Sequence, residues 1–137
     1  MSIETLKAQL TTDLKDDQDL LRACSAIVTN LVAADANLTK HITFAALSRL
    51  AGLSEAADSI PAATYLSGSR INFLRKSFML ILDDEEFEFT ADEIYEAKAS
   101  KKLYHPNTGE IVSDFEKHLY LFFCVSASAT KIIKEST

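Results

Sequence analysis

An unbroken run of seven apolar residues, LYLFFCV at 119–125, constrains the fold of this chain more than any other feature. The motif SDFE at 113–116 precedes the run and is typical of a capping box that opens a helix. Phe115, Leu119 and Phe122 follow at spacings of four and three, as in a seam between helices. We therefore predict a last helix, reaching about Ile133, whose middle is apolar on nearly every side.

A helix that is apolar all round lies either at the centre of a domain or against a partner. The sequence leaves both alternatives open. If the helix is shared, a second copy of the chain is the simplest partner, and we predict a homodimer. The residues that would form its seam are Leu119, Phe122, Phe123 and Val125.

Helical patterns dominate the first half of the chain. Apolar residues recur at helical spacing over 3–14 and again over 20–32. Thr43 is placed to cap a short helix that ends at Gly52, and Pro61 fits the first turn of another helix.

The chain is 137 residues long, with only three glycines and two prolines and no linker-like stretch. This length is typical of one ordinary domain. The motif TADE at 90–93 is a second capping box and predicts a further helix. The predicted fold is therefore mainly α, a single helical domain over 1–137 built as a bundle of about 5–7 helices.

The segment between Ser69 and Thr90 is ambiguous. Ile71, Leu74 and Phe78 have helical spacing, but FMLIL and FEFT on either side of DDEE are also typical of two short strands around an acidic turn. We predict a helix that continues to about Leu82. A short β-hairpin near 78–90 is the alternative, and it would make the fold winged-helix-like.

Acidic residues are concentrated in one segment. Residues 83–97 contain eight Asp and Glu and no Lys or Arg, in a chain of net charge −6. Such a patch either faces water or binds a basic partner. The candidates for partner binding are Asp83, Asp84, Glu85, Glu86 and Glu88, together with Tyr104, His105 and Asn107 on the turn that YHPNTGE predicts.

A winged-helix nucleic-acid-binding regulator is the alternative function. It would use the basic segment 69–76, where Arg70, Asn72, Arg75 and Lys76 would face the nucleic acid. The four consecutive acids at 83–86 would then lie at the tip of the wing, where they would repel phosphate. Nucleic-acid binding is therefore the less favoured prediction.

Nothing in the sequence is typical of a catalytic or cofactor site. The carboxylates are crowded into one run instead of forming a separated pair in a cleft. His41, His105 and His118 are not accompanied by a ligand set at metal-binding spacing, and no glycine-rich phosphate loop occurs. We predict no enzymatic activity, no metal and no cofactor.

The sequence also bears on location and partners. Cys24 and Cys124 lie in apolar contexts, as expected for buried, reduced thiols, and no window resembles a signal peptide or a membrane span. We expect a cytoplasmic protein without a membrane partner. The predicted function is that of a small, acidic, non-catalytic domain, regulatory or inhibitor-type, that binds another protein.

Overall fold

The computed structural model describes residues 2–34 and 40–136, with side chains as far as Ile133. Within these residues the chain forms six α-helices, three β-strands and short 3-10 helices at Ala56–Ser59 and Phe115–His118. The helices are α1 (Ile3–Asp13), α2 (Gln18–Val32), α3 (Phe44–Ala51), α4 (Ile60–Ser67), α5 (Ala91–Ser100) and α6 (Ala127–Ser136). The strands are β1 (Leu74–Leu82), β2 (Glu85–Thr90) and β3 (Leu119–Val125).

The three strands form one antiparallel sheet in the order β2-β1-β3. β1 and β2 are a hairpin whose register runs from Leu82 opposite Glu85 to Ser77 opposite Thr90. The fold is therefore mixed α/β, and the prediction of a mainly α-helical bundle is wrong. The alternative of a short hairpin near 78–90 is also too small, because β1 extends back to Leu74 and the hairpin belongs to a three-stranded sheet. The winged-helix-like variant lacked this third strand, since it left 119–125 in a helix.

The predicted last helix is replaced by a 3-10 turn, a strand and a shorter helix. The predicted capping box SDFE does not form, because the 3-10 helix begins at Phe115 and its N-cap position is taken by Asp114 instead of Ser113. Asp114 has a left-handed φ of 50° and its side chain makes no capping hydrogen bond. The strand ends at Val125, and the N–H of the next residue, Ser126, donates to the Phe73 carbonyl at 2.9 Å. The Ser126 hydroxyl accepts from the Ala129 N–H at 3.1 Å and so caps α6.

The chain divides into two compact units. The first takes in the residues up to Arg75 together with those from Phe123 onward, and the second consists of residues 76–122. Strands β1 and β3 contribute residues to both units.

The first unit is a helical cluster. The buried face of α2 carries Cys24, Ile27 and Val28, and this helix contacts α1, α3 and α4. Asp13 at the end of α1 accepts a hydrogen bond of 2.5 Å from the Tyr65 hydroxyl and two of 2.8 Å from the Arg70 guanidinium. These bonds fix the end of α1 to α4 and to the segment that follows α4.

The second unit has its own core between the hairpin and α5. Seven buried residues form this core, and beside it the Ser77 hydroxyl links the two strands by donating to the Phe89 carbonyl at 3.0 Å. The core residues are Phe78, Leu80, Phe89, Ile94, Ala97, Leu103 and Phe115. The core covers one face of the hairpin. Because side chains alternate along a strand, the residues between the core residues project from the opposite face.

Candidate interaction surface

The predicted acidic binding residues lie on the hairpin of the second unit. Asp83 and Asp84 form its two-residue turn, and Asp83 has a left-handed φ of 50°, which Asp tolerates better than most residues. All five predicted carboxylates, defined here as the acidic hairpin, are exposed: Asp83, Asp84, Glu85, Glu86 and Glu88. Among the described residues, no ion pair includes any of these carboxylates.

The register of the hairpin separates its side chains into two faces. Phe78 lies opposite Phe89, and both belong to the core of the second unit. The intervening pairs, Met79 with Glu88 and Ile81 with Glu86, must project from the opposite face, because side chains alternate along a strand. The half-buried side chains of Met79 and Ile81 are thus directly beside exposed carboxylates.

Strand β3 adds an aromatic side chain to this opposite face. Leu119 and Leu121 pack against the core of the second unit, so Tyr120 between them points to the other side of the sheet. Tyr120 is 55% exposed, a large value for an aromatic residue in a strand. We define the outer face as these five residues: Met79, Ile81, Glu86, Glu88 and Tyr120.

The loop that contains the other predicted binding residues is an ordered turn. Tyr104 and Ile111 face each other across an antiparallel bridge, and both are 54% exposed. The His105 ring holds the turn together, because its Nδ1 accepts hydrogen bonds from the N–H groups of Asn107 and Thr108 at 3.1 and 3.2 Å. His105 is therefore a structural residue of the loop, while Tyr104 and Asn107 are exposed.

A ring contact joins the loop to the hairpin. The Phe87 and His105 rings meet edge to face, with centroids 4.9 Å apart. Phe87 lies on the core side of β2, so the loop contacts the side of the hairpin opposite the outer face. The structure thus brings the two predicted groups of binding residues together in one unit, but Glu86 and Glu88 lie on the side of the sheet opposite the loop.

The predicted self-association residues lie in β3. Phe122 and Phe123 are each 2% exposed, whereas Leu119 and Val125 are half-buried. Phe123 packs edge to face on Phe44 at 5.3 Å and exchanges backbone hydrogen bonds of 2.6 and 2.7 Å with Ile42. The helical seam on which the dimer prediction rested is wrong, because these residues are in a strand. Homodimerisation itself stays a prediction.

The predicted nucleic-acid residues are not on a recognition helix. Helix α4 ends at Ser67, and the basic segment leads into β1 instead. The charge of Arg70 is paired with Asp13. The Arg75 Nε–H donates to the Cys124 sulfur at 3.3 Å, and Asn72 has a left-handed φ of 49°. Lys76 is half-buried at the start of the hairpin.

The shifted pKa values lie in the first unit and have structural causes. Hydrogen bonds from Arg70 and Tyr65 lower the pKa of Asp13 to about 2. Burial, followed by the hydrogen bond to Asp13, raises the pKa of Tyr65. Burial, with a smaller effect of the negative charge on Asp17, raises the pKa of Cys24 to about 12.

Within the described part of the chain, no three His, Cys, Asp or Glu residues are grouped so that they could hold a metal ion.

Sequence reasoning missed the apolar half of the outer face. Met79, Ile81 and Tyr120 were assigned to helices, where their neighbours would have been different. The signal was available in the alternation of β2, where Phe87 and Phe89 alternate with Glu86 and Glu88. A strand predicted at 85–90 would have required a neighbouring strand to pair with. The resulting sheet would have had one face against the core and one face toward solvent.

None of the helices in the described residues is long and apolar enough to cross a membrane. Comparisons with protein-family models, with curated proteins and with solved structures gave no match.

Proposed function

We propose that this protein is non-catalytic and acts by binding another protein through the outer face and the acidic hairpin. The observation that carries the proposal is the register that places Met79 beside Glu88 and Ile81 beside Glu86, on the side of the sheet where both glutamates and Tyr120 are exposed. An apolar centre with a polar rim is the usual anatomy of a protein interface.

The charges of the hairpin favour a basic partner. The carboxylates of the acidic hairpin are exposed and form no ion pair within the described residues, so their negative potential extends into solvent. Such a potential accelerates the approach of a positively charged surface and selects against acidic ones. Tyr120 would be the main contact, because aromatic residues carry much of the binding energy in interfaces.

The two cysteines support the part of the proposal that concerns location. Cys24 and Cys124 are both buried and neither is in a disulfide. Free buried thiols fit a reducing compartment, and we propose the cytoplasm. We also propose that this protein regulates or inhibits the protein that it binds.

Site-specific photo-crosslinking in cells tests the proposed function. A benzophenone amino acid replaces Tyr120 in one variant and Ile60 in a control variant, since Ile60 is 48% exposed but belongs to the first unit. We expect a protein adduct at position 120 that is absent at position 60.

Reversing the charge of the two glutamates on the outer face tests whether this surface binds the crosslinked protein. Glu86→Lys with Glu88→Lys should abolish the adduct at position 120, whereas Glu110→Lys, an exposed site on the Tyr104–Ile111 loop, should leave it unchanged. Equal adducts at positions 120 and 60, or no adduct at either position, would contradict the proposed function.

A further inference from the structure

Among the described residues, no strand pairs with the outer edge of β2. The strand order β2-β1-β3 places β2 at the end, and within the described residues no backbone hydrogen bond from outside the sheet reaches Glu86 or Glu88. We propose that an extended, basic segment of the partner protein adds to this edge as an antiparallel fourth strand. This inference rests on the proposed function and specifies how the partner is bound.

The hairpin register identifies the backbone groups that are available. Leu82 and Glu85 flank the two-residue turn, and such a flanking pair is hydrogen-bonded across the hairpin. The pairs then alternate, so the N–H and C=O groups of Glu86 and Glu88 point away from β1. Thr90 has the same parity, and its N–H is directed away from β1 to Glu93 Oε1 at 3.1 Å. Two residues of β2 therefore present free donors and acceptors to an incoming strand.

The same two residues determine the chemistry of the incoming strand. A residue directly opposite Glu86 or Glu88 would have its side chain on the outer face, about 5 Å from the carboxylate-bearing residue. Lysine or arginine at these alternate positions would pair with the two carboxylates, in an environment that already includes Met79 and Ile81. The favoured segment thus carries a basic residue at every second position.

A second copy of β2 is a poor occupant of this edge. Pairing of two β2 strands would place carboxylates of one copy against carboxylates of the other, and opposed like charges destabilise a sheet. The glutamates of β2 therefore disfavour self-pairing while they favour a basic strand.

Backbone methylation of a peptide tests strand addition directly. The probe is a short fluorescein-labelled peptide of alternating lysine and threonine, measured by fluorescence anisotropy with the full chain at low salt. In the proposed geometry the lysine amides bond to β2 and the threonine amides face away. Methylation of the lysine amides should weaken binding by about tenfold or more, because it removes the hydrogen bonds and adds bulk at the edge. Methylation of the threonine amides should have little effect.

Protein variants provide the matching control. Glu86→Gln with Glu88→Gln should weaken binding of the unmethylated peptide, whereas Glu110→Gln should not change it. A peptide of alternating glutamate and threonine should not bind. Equal affinity of the two methylated peptides, or no binding of the lysine peptide, would overturn strand addition. The adduct at position 120 would persist in that case if the proposed function is correct, so the two failures are distinguishable.

Discussion

Replacing Leu80 and Ile81 by alanine, one at a time, tests which face of β1 is buried. These neighbours differ in burial, because Leu80 is 0% exposed in the core of the second unit and Ile81 is half-buried on the outer face. A helix over this segment would give the opposite order, since Ile81 would continue the stripe of Ile71, Leu74 and Phe78.

The expected loss in the free energy of unfolding depends on how deeply each side chain is buried. Leu80→Ala removes a fully enclosed side chain and leaves a cavity, so the free energy of unfolding should fall by about 3–5 kcal/mol. Ile81→Ala removes atoms that are partly in water already, and the loss should be about 1–2 kcal/mol. Leu80→Met conserves volume and should cost less than about 1.5 kcal/mol.

Urea denaturation followed by circular dichroism measures these differences. The midpoint should shift while the slope stays unchanged if only stability is altered. A total stability of about 5–15 kcal/mol is normal for a domain, so Leu80→Ala should remain measurable in mild conditions. The assignment of the faces would be refuted if Ile81→Ala cost as much as Leu80→Ala or more.

Three further predictions concern single side chains. The pKa of Asp13 is lowered to about 2, so its contribution to stability is complete above the unfolded value of about 3.9 and is lost as the pH falls through about 2. Thermal melts should show Asp13→Asn less stable than the parent near pH 6, with the difference vanishing near pH 2. Thr90→Ala removes the hydroxyl that caps α5 at the Glu93 N–H and should cost about 1 kcal/mol in urea, whereas Thr90→Ser should be nearly neutral. Because burial raises the pKa of Cys24 to about 12, a thiol reagent at about pH 8 should label it only as the protein unfolds, and fast labelling of the native protein, mapped by mass spectrometry, would contradict this burial.

The sequence by itself determined the features that depend on near neighbours. Thr43 caps α3 by accepting from the Ala46 N–H at 3.1 Å, and Gly52 ends that helix with a φ of 73°. Pro61 lies in the first turn of α4, and Thr90 with Glu93 forms the predicted capping box. These motifs act over three or four residues, so the local sequence contains all the atoms that take part.

Only the tertiary structure decided the conformation of 78–82 and 119–125. Every residue in these two runs is apolar, so neither the helical nor the strand period can be detected in them. Their conformation depends on strand pairing between these two runs, which are about forty positions apart. In the sheet, β1 pairs with β2 on one side and with β3 on the other. The outer face has Tyr120 of β3 on the same side of the sheet as Glu86 and Glu88 of β2. It exists only because strand pairing determines which side chains are buried in the core and which are exposed to solvent.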